Sequence, residues 1–216
     1  MRSMAIGFLH TAAEHTATFD QLVVSAAGFE AARTHVVLPE LLADAIELGI
    51  EDVGVRDALA LQLRSFPDGV DQVIVTCSTL GGIAEELAPV GGPLVTRVDR
   101  PMAEAAVAAG HRIGVAYSTS ATVLPTTSLL WAVAATAGSA IDLDLIDCEA
   151  AWRLFVAGKR DEYLAAVAST IRDRAHNVDV VILAQASMAS VAELIADLDI
   201  PVFSSPALAV ARAFAD

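Results

Sequence analysis

Two short stretches of this 216-residue chain end in side chains that could do chemistry. VIVTCSTLGG, residues 73–82, runs from an apolar stretch into a thiol, Cys77, and two hydroxyls, Ser78 and Thr79. VILAQASMAS, residues 181–190, has the same form, but Gln185 stands where the first copy has Cys77, followed by Ala186 and Ser187. A thiol can exchange a proton or add to an electrophile, whereas an amide only donates and accepts hydrogen bonds. Two other apolar runs also end in polar residues. IGFLHT (6–11) closes with His10 and Thr11, and IGVAYS (113–118) closes with Tyr117 and Ser118, with Thr122 shortly after. A helix is expected just after 77–79 and again after 185–187. Free N–H groups and the positive end of the helix dipole at such a start favour a carboxylate or a thiolate. The hydroxyls of Ser78, Thr79, Ser118 and Thr122 add donors for the same anion, and Gly81 and Gly82 permit close backbone packing there.

The elements that must position these residues alternate regularly. Strands are expected at 4–9, 34–37, 72–76, 93–97, 112–116, 141–146, 179–184 and 201–203, with helical spacing at 38–49, 56–66, 78–87 and 160–177. Continuous apolar strands separated by helices predict an α/β fold with parallel sheet covered on both faces. An internal repeat divides this pattern in two. Residues 71–87 lie over 179–195 at an offset of 108, and 6–11 lie over 113–118 at an offset of 107. Residues 93–107 resemble 201–214 with one short gap. Two α/β lobes of like topology follow, related by a pseudo-twofold, each giving strand ends to a shared cleft. Ligands of open α/β sheets bind beyond the carboxyl ends of strands.

Composition narrows the function. The chain is 55% hydrophobic and 19% charged, enough for a substantial core. Its net charge of −14, with no basic cluster, argues against nucleic acid. No uninterrupted apolar run approaches the roughly 20 residues of a membrane span, and the apolar patch near the N-terminus is short for a signal peptide. The reading is a cytoplasmic protein without membrane contact. Cys77 and Cys148 make no disulfide framework, and Cys148 reads as structural. HTAAEH (10–15) matches no metal motif, so no metal is expected. The glycine-rich loops of dinucleotide and NTP sites and the G-x-S-x-G elbow are also missing from the sequence.

The twofold βα repeat and the Cys-Ser-Thr at a strand end resemble the aspartate/glutamate racemase superfamily, which includes hydantoin and allantoin racemases, maleate isomerase and arylmalonate decarboxylase. The resemblance runs through IGFLHT, TCSTLGG, GVAYSTSATVLPTT and VILAQASM. It implies two Rossmann-like lobes, 1–97 plus 206–216 and 98–205, with a small carboxylate substrate bound between them and no cofactor. It implies a catalytic Cys77, with His10, Thr11, Ser78, Thr79, Tyr117, Ser118, Thr122, Gln185, Ala186 and Ser187 around the substrate. Two-base members place a cysteine on each side of the substrate carbon; here the second falls on Gln185, which cannot carry a proton at neutral pH. A single-thiol, isomerase- or racemase-like enzyme is the leading expectation. The alternatives are a decarboxylase with one cysteine proton donor and a carboxylate-binding protein without turnover. His10 could tune Cys77, and Tyr117 or Glu149 could supply a second acid/base. Homo-oligomers are common for such folds.

Overall fold

The computed structural model describes residues 4–215. Residues 1–3 and 216, at the two ends of the expected first lobe, lie outside them. The chain divides into two compact units, Met1–Val98 with Pro206–Asp216, and Asp99–Ser205.

In the first unit, β1 (Ile6–His10), β2 (Arg33–Val37), β3 (Gln72–Val75) and β4 (Leu94–Arg97) form a parallel sheet in the order β2-β1-β3-β4. Side-chain alternation sends these strands into two cores. Leu9, Val73 and Val75 pack with residues of α2 (Pro39–Leu48), α3 (Val53–Arg64) and α4 (Ser78–Glu86), among them Leu41, Leu59, Leu63 and Leu80. Ile6, Phe8 and Ile74 pack on the other face, with Phe19 and Val23 of α1 (Glu14–Ala27) and Val210 of α10 (Ser205–Ala213). Burying each of the large side chains among them contributes about 1.5–3 kcal/mol. Local sequence sets the helix starts. Pro39 sits in the first turn of α2, and Asp52 caps α3 by accepting from the N–H groups of Gly54 and Val55 at 2.8 and 3.2 Å.

The second unit repeats the plan. Its strands β5 (Arg112–Tyr117), β6 (Asp142–Asp147), β7 (Val180–Leu183) and β8 (Val202–Ser204) run parallel in the order β6-β5-β7-β8. Even the register repeats: Leu9 pairs with Val75 as Ala116 pairs with Leu183. One core joins Ala116, Val181 and Leu183 to α7 (Glu149–Val156), α8 (Arg160–Arg174) and α9 (Val191–Leu194). Elsewhere in the unit, α5 (Arg100–Ala109) packs on β7 and against α6 (Val123–Ala137). The segment Ser120–Ala137 is long and apolar enough to cross a membrane by length and composition alone, at a mean hydropathy of 1.2.

One expected element differs. After β3 a nine-residue helix, α4, begins at once, but after β7 there is only a 3-10 turn at Ala186–Met188 and then the four-residue α9. The guanidinium of Arg172 on α8 explains where α9 stops. It takes the Leu194 carbonyl and the Asp197 carboxylate, each at 2.6 Å, and so satisfies the helix end there.

Candidate functional site

The first strand end is built around a thiol. Thr76 and Cys77 follow β3, and Cys77 is the extended residue at the N-terminus of α4, its carbonyl accepting from Gly81 N–H at 2.9 Å. The hydroxyls of Thr11 and Thr79 and the N–H groups of Thr79 and Leu80 lie around the Cys77 sulfur, without a closed cap bond to it. Those four donors favour a thiolate, yet burial outweighs them and pushes the thiol above its ordinary range. At neutral pH Cys77 therefore holds its proton, with donors already placed to receive a negative charge. The helix that supplies them lies close to β4. A Cβ on Gly81 would stand 2.6 Å from the Arg97 Cβ, so only glycine fits. The Arg97 guanidinium in turn reaches the Ser78 carbonyl at 3.4 Å. Ser78 is buried and Thr79 half-buried.

His10 belongs to the opposite face of the sheet. Its ring is fully buried, stacked on Phe8 and on His35, with centroids 5.8 and 5.2 Å away. Both ring nitrogens are engaged, Nδ1 with Thr76 Oγ1 at 2.8 Å and Nε2 with His35 Nδ1 at 2.9 Å. Burial, then the neighbouring His35 and His15, pulls its pKa down to about 3, so the ring is neutral. The imidazolium considered as a partner for Cys77 does not form.

The second strand end uses the same positions for different groups. Gln185 follows β7 at the place of Cys77, and Ser118 follows β5 at the place of Thr11. Here the pair is hydrogen-bonded: Gln185 Oε1 accepts from Ser118 N at 2.7 Å and from Ser118 Oγ at 3.0 Å. Ser118 Oγ also lies 2.9 Å from the hydroxyl of Tyr163, a fully buried residue of α8, and that hydroxyl lies 3.3 Å from Ser187 Oγ. Thr122 is buried and bonds Thr119 at 3.0 Å. Ala186 stands half-buried in the 3-10 turn. Tyr117 is half-buried; burial and the carboxylates of Asp147 and Glu149 hold its phenol above the ordinary range, which makes it a poor base. Cys148 is buried and pushed up to about 12, with Ile146 O 3.7 Å from its sulfur, the environment of an inert core thiol.

Solved structures place this architecture. The chain matches the aspartate racemase of Picrophilus torridus with a TM-score of 0.72 and 17% identity, covering 99% of this chain and 94% of that one. The fold is that of the aspartate and glutamate racemases. A glutamate racemase of Francisella tularensis, solved with D-glutamate, matches with a TM-score of 0.68 and 16% identity over 98% of this chain and 80% of its own. The allantoin racemase of Pseudomonas fluorescens gives 0.58 and 19% over 97% and 89%. No protein-family model and no curated protein sequence matches the chain.

Within the first unit the structure gathers Thr11 and Thr79 around the Cys77 sulfur; within the second, hydrogen bonds join Gln185 to Ser118 and, through Tyr163, to Ser187. Two residues that order the strand ends had drawn no notice in the sequence: Thr76, which bonds His10, and Tyr163, which bonds Ser118 and Ser187. One signal for Tyr163 was available. It is one of two tyrosines in the chain and lies in RDEYLAAVASTI, where Tyr163, Leu164, Val167 and Ile171 share a helix face. A tyrosine on a buried helix face must find a partner for its hydroxyl.

Proposed function

We propose that the protein is an enzyme of the racemase superfamily that acts on a small carboxylate without a cofactor, moving a proton at one face of the substrate through Cys77. The observation that carries this reading is the buried Cys77 sulfur at the start of α4, with two hydroxyls and two N–H groups around it that favour its thiolate. Its resting form is a thiol, which gives a proton to a carbanion or enediolate and is left as a thiolate that those donors stabilise. Gln185 has no proton to exchange, so the chemistry is one-sided. Isomerase or racemase-like transfer is the leading form: Cys77 first loses its proton to solvent, then as the thiolate takes the proton from the substrate carbon and returns one to the carbanion. The same thiol would serve decarboxylation: the bond to the departing carboxylate breaks, CO₂ leaves, and Cys77 protonates the carbon. We assign the substrate's oxygens to Thr11, Ser78, Thr79 and Thr122, with Tyr117 and Ala186 as walls; Ser118 and Ser187 act through their bonds to Gln185 and Tyr163. His10, bonded at both nitrogens, holds its strand end through Thr76.

Gln185 itself favours a second reading, a carboxylate-binding protein that lacks turnover. Proton NMR in D₂O separates the two, with amino acids, hydantoins, 2-substituted malonates and maleate as the panel. The enzymatic reading expects deuterium incorporation or a new product with the wild type and neither with Cys77→Ala. Ligand shifts in both proteins with no chemistry in either would leave a receptor.

A further inference from the structure

The hydrogen bonds around Gln185 have one consistent direction. The Ser118 N–H can only donate, so the amide oxygen faces it at 2.7 Å and the amide nitrogen lies on the other side of the group. The same oxygen is 3.0 Å from Ser118 Oγ, which commits the Ser118 hydroxyl proton to Gln185. The Tyr163 hydroxyl must then donate to Ser118 Oγ, and Ser187 Oγ must donate to Tyr163. Protons are thus directed from Ser187 to Tyr163 to Ser118 to Gln185. Burial raises the Tyr163 phenol above its ordinary range, so the middle donor keeps its hydrogen. At the end of the chain Gln185 Oε1 is filled by two donors, and these are the only bonds of that side chain among the described residues. A half-buried amide is left with both N–H donors unspent.

We infer that Gln185 is a fixed hydrogen-bond donor for an oxygen of the bound ligand, a carboxylate or carbonyl, and that Tyr163 is the residue that positions it. This rests on the reading of the strand ends as the substrate site, and adds what the second one recognises. An N–H pair donates to an oxygen and repels an ammonium group. Tyr163 acts through Ser118: without its hydroxyl, the Ser118 proton is free to rotate away, and the amide keeps a single bond.

The test uses the whole ¹⁵N-labelled chain. Four glutamines and one asparagine give five side-chain amide pairs, and Gln185→Ala assigns the Gln185 pair by its disappearance. Tyr163→Phe is expected to move that pair towards the position of a free amide and leave the other four in place; Ser118→Ala moves it further. A Gln185 pair unmoved in folded Tyr163→Phe protein overturns the positioning role. Should that variant not fold, Ser187→Ala reads the same chain from its far end, with a smaller shift in the same direction expected and no shift overturning the role. For the donor role the probe is malonate. The wild-type Gln185 pair is expected to shift and saturate, and Gln185→Glu, which keeps both bonds from Ser118 but has no N–H, binds malonate at least about tenfold more weakly. Malonate that leaves the Gln185 pair unmoved, or that Gln185→Glu binds as tightly, overturns the donor role. Missing turnover alongside intact amide responses would count against the enzymatic reading alone.

Discussion

The two strand ends are the same piece of backbone carrying different chemistry. In each lobe the residue after the first strand meets the second residue after the third: Thr11 lies beside the Cys77 sulfur, and Ser118 bonds Gln185. At the first, a nine-residue helix starts beside a buried thiol and aims two N–H groups at it. At the second, a 3-10 turn takes the helix's place and a tyrosine from α8 orders the hydroxyls instead. A repeated fold thus fixes where a functional side chain stands, and the neighbours fix what it can do. On the proposed function, one end would hold and release a proton and the other would hold an oxygen.

The largest expected effect tests the first end. Cys77→Ala should lower turnover about a thousandfold, the usual weight of a positioned acid/base, with the thermal midpoint little changed. Activity within a few-fold of wild type would place the chemistry elsewhere. Next, Gly81→Ala should cost about 1–3 kcal/mol in urea unfolding, because its Cβ meets Arg97. The second lobe already carries Ala189 at this point of the repeat, so an Ala189→Gly change should be mild by comparison. Equal costs would mean that the two ends pack alike.

Acid should also tell the lobes apart. The folded-state pKa of His10 is pulled to about 3, and that of His35 is lowered too, burial being the first cause for both. As the pH falls below about 6.5 the unfolded chain binds these protons first. The stability given by the neutral pair is therefore whole above that pH and is lost progressively towards pH 3. Amide hydrogen exchange at pH 5 should show β1 and β3 losing protection before β5 and β7; equal loss would contradict this. The smallest effect is local. Thr11→Val removes a hydroxyl that lowers the Cys77 pKa, so iodoacetamide should alkylate Cys77 a few-fold more slowly near pH 8. An unchanged rate would mean that the hydroxyl leaves the sulfur untouched.

The sheets were largely legible in the sequence because their central strands are buried on both faces and carry unbroken apolar runs, as VIV of β3 and VVIL of β7 do. Helices α1 and α6 were not singled out. EHTATFDQLVVSAA buries only Phe19 and Val23, and α6 is apolar nearly all round, so neither shows a sharp face. At the candidate site, residues at matching points of the repeat could be paired by counting. The link from Tyr163 to Ser118 spans 45 residues and depends on how α8 lies on its sheet. His10 had the right position but the wrong face: alternation along β1 puts it with Phe8, away from the Leu9 side that holds Cys77.

The division of labour between the two ends is tested most directly with separate enantiomers in D₂O. For a carboxylate that turns over, the α-proton signal of each enantiomer is followed by NMR with the wild-type protein. A single thiol on one face predicts that one enantiomer exchanges its α-proton, with configuration retained, while the other keeps its proton. Loss of both α-protons at similar rates, with interconversion of the enantiomers, would mean that a second acid/base works at the Gln185 end.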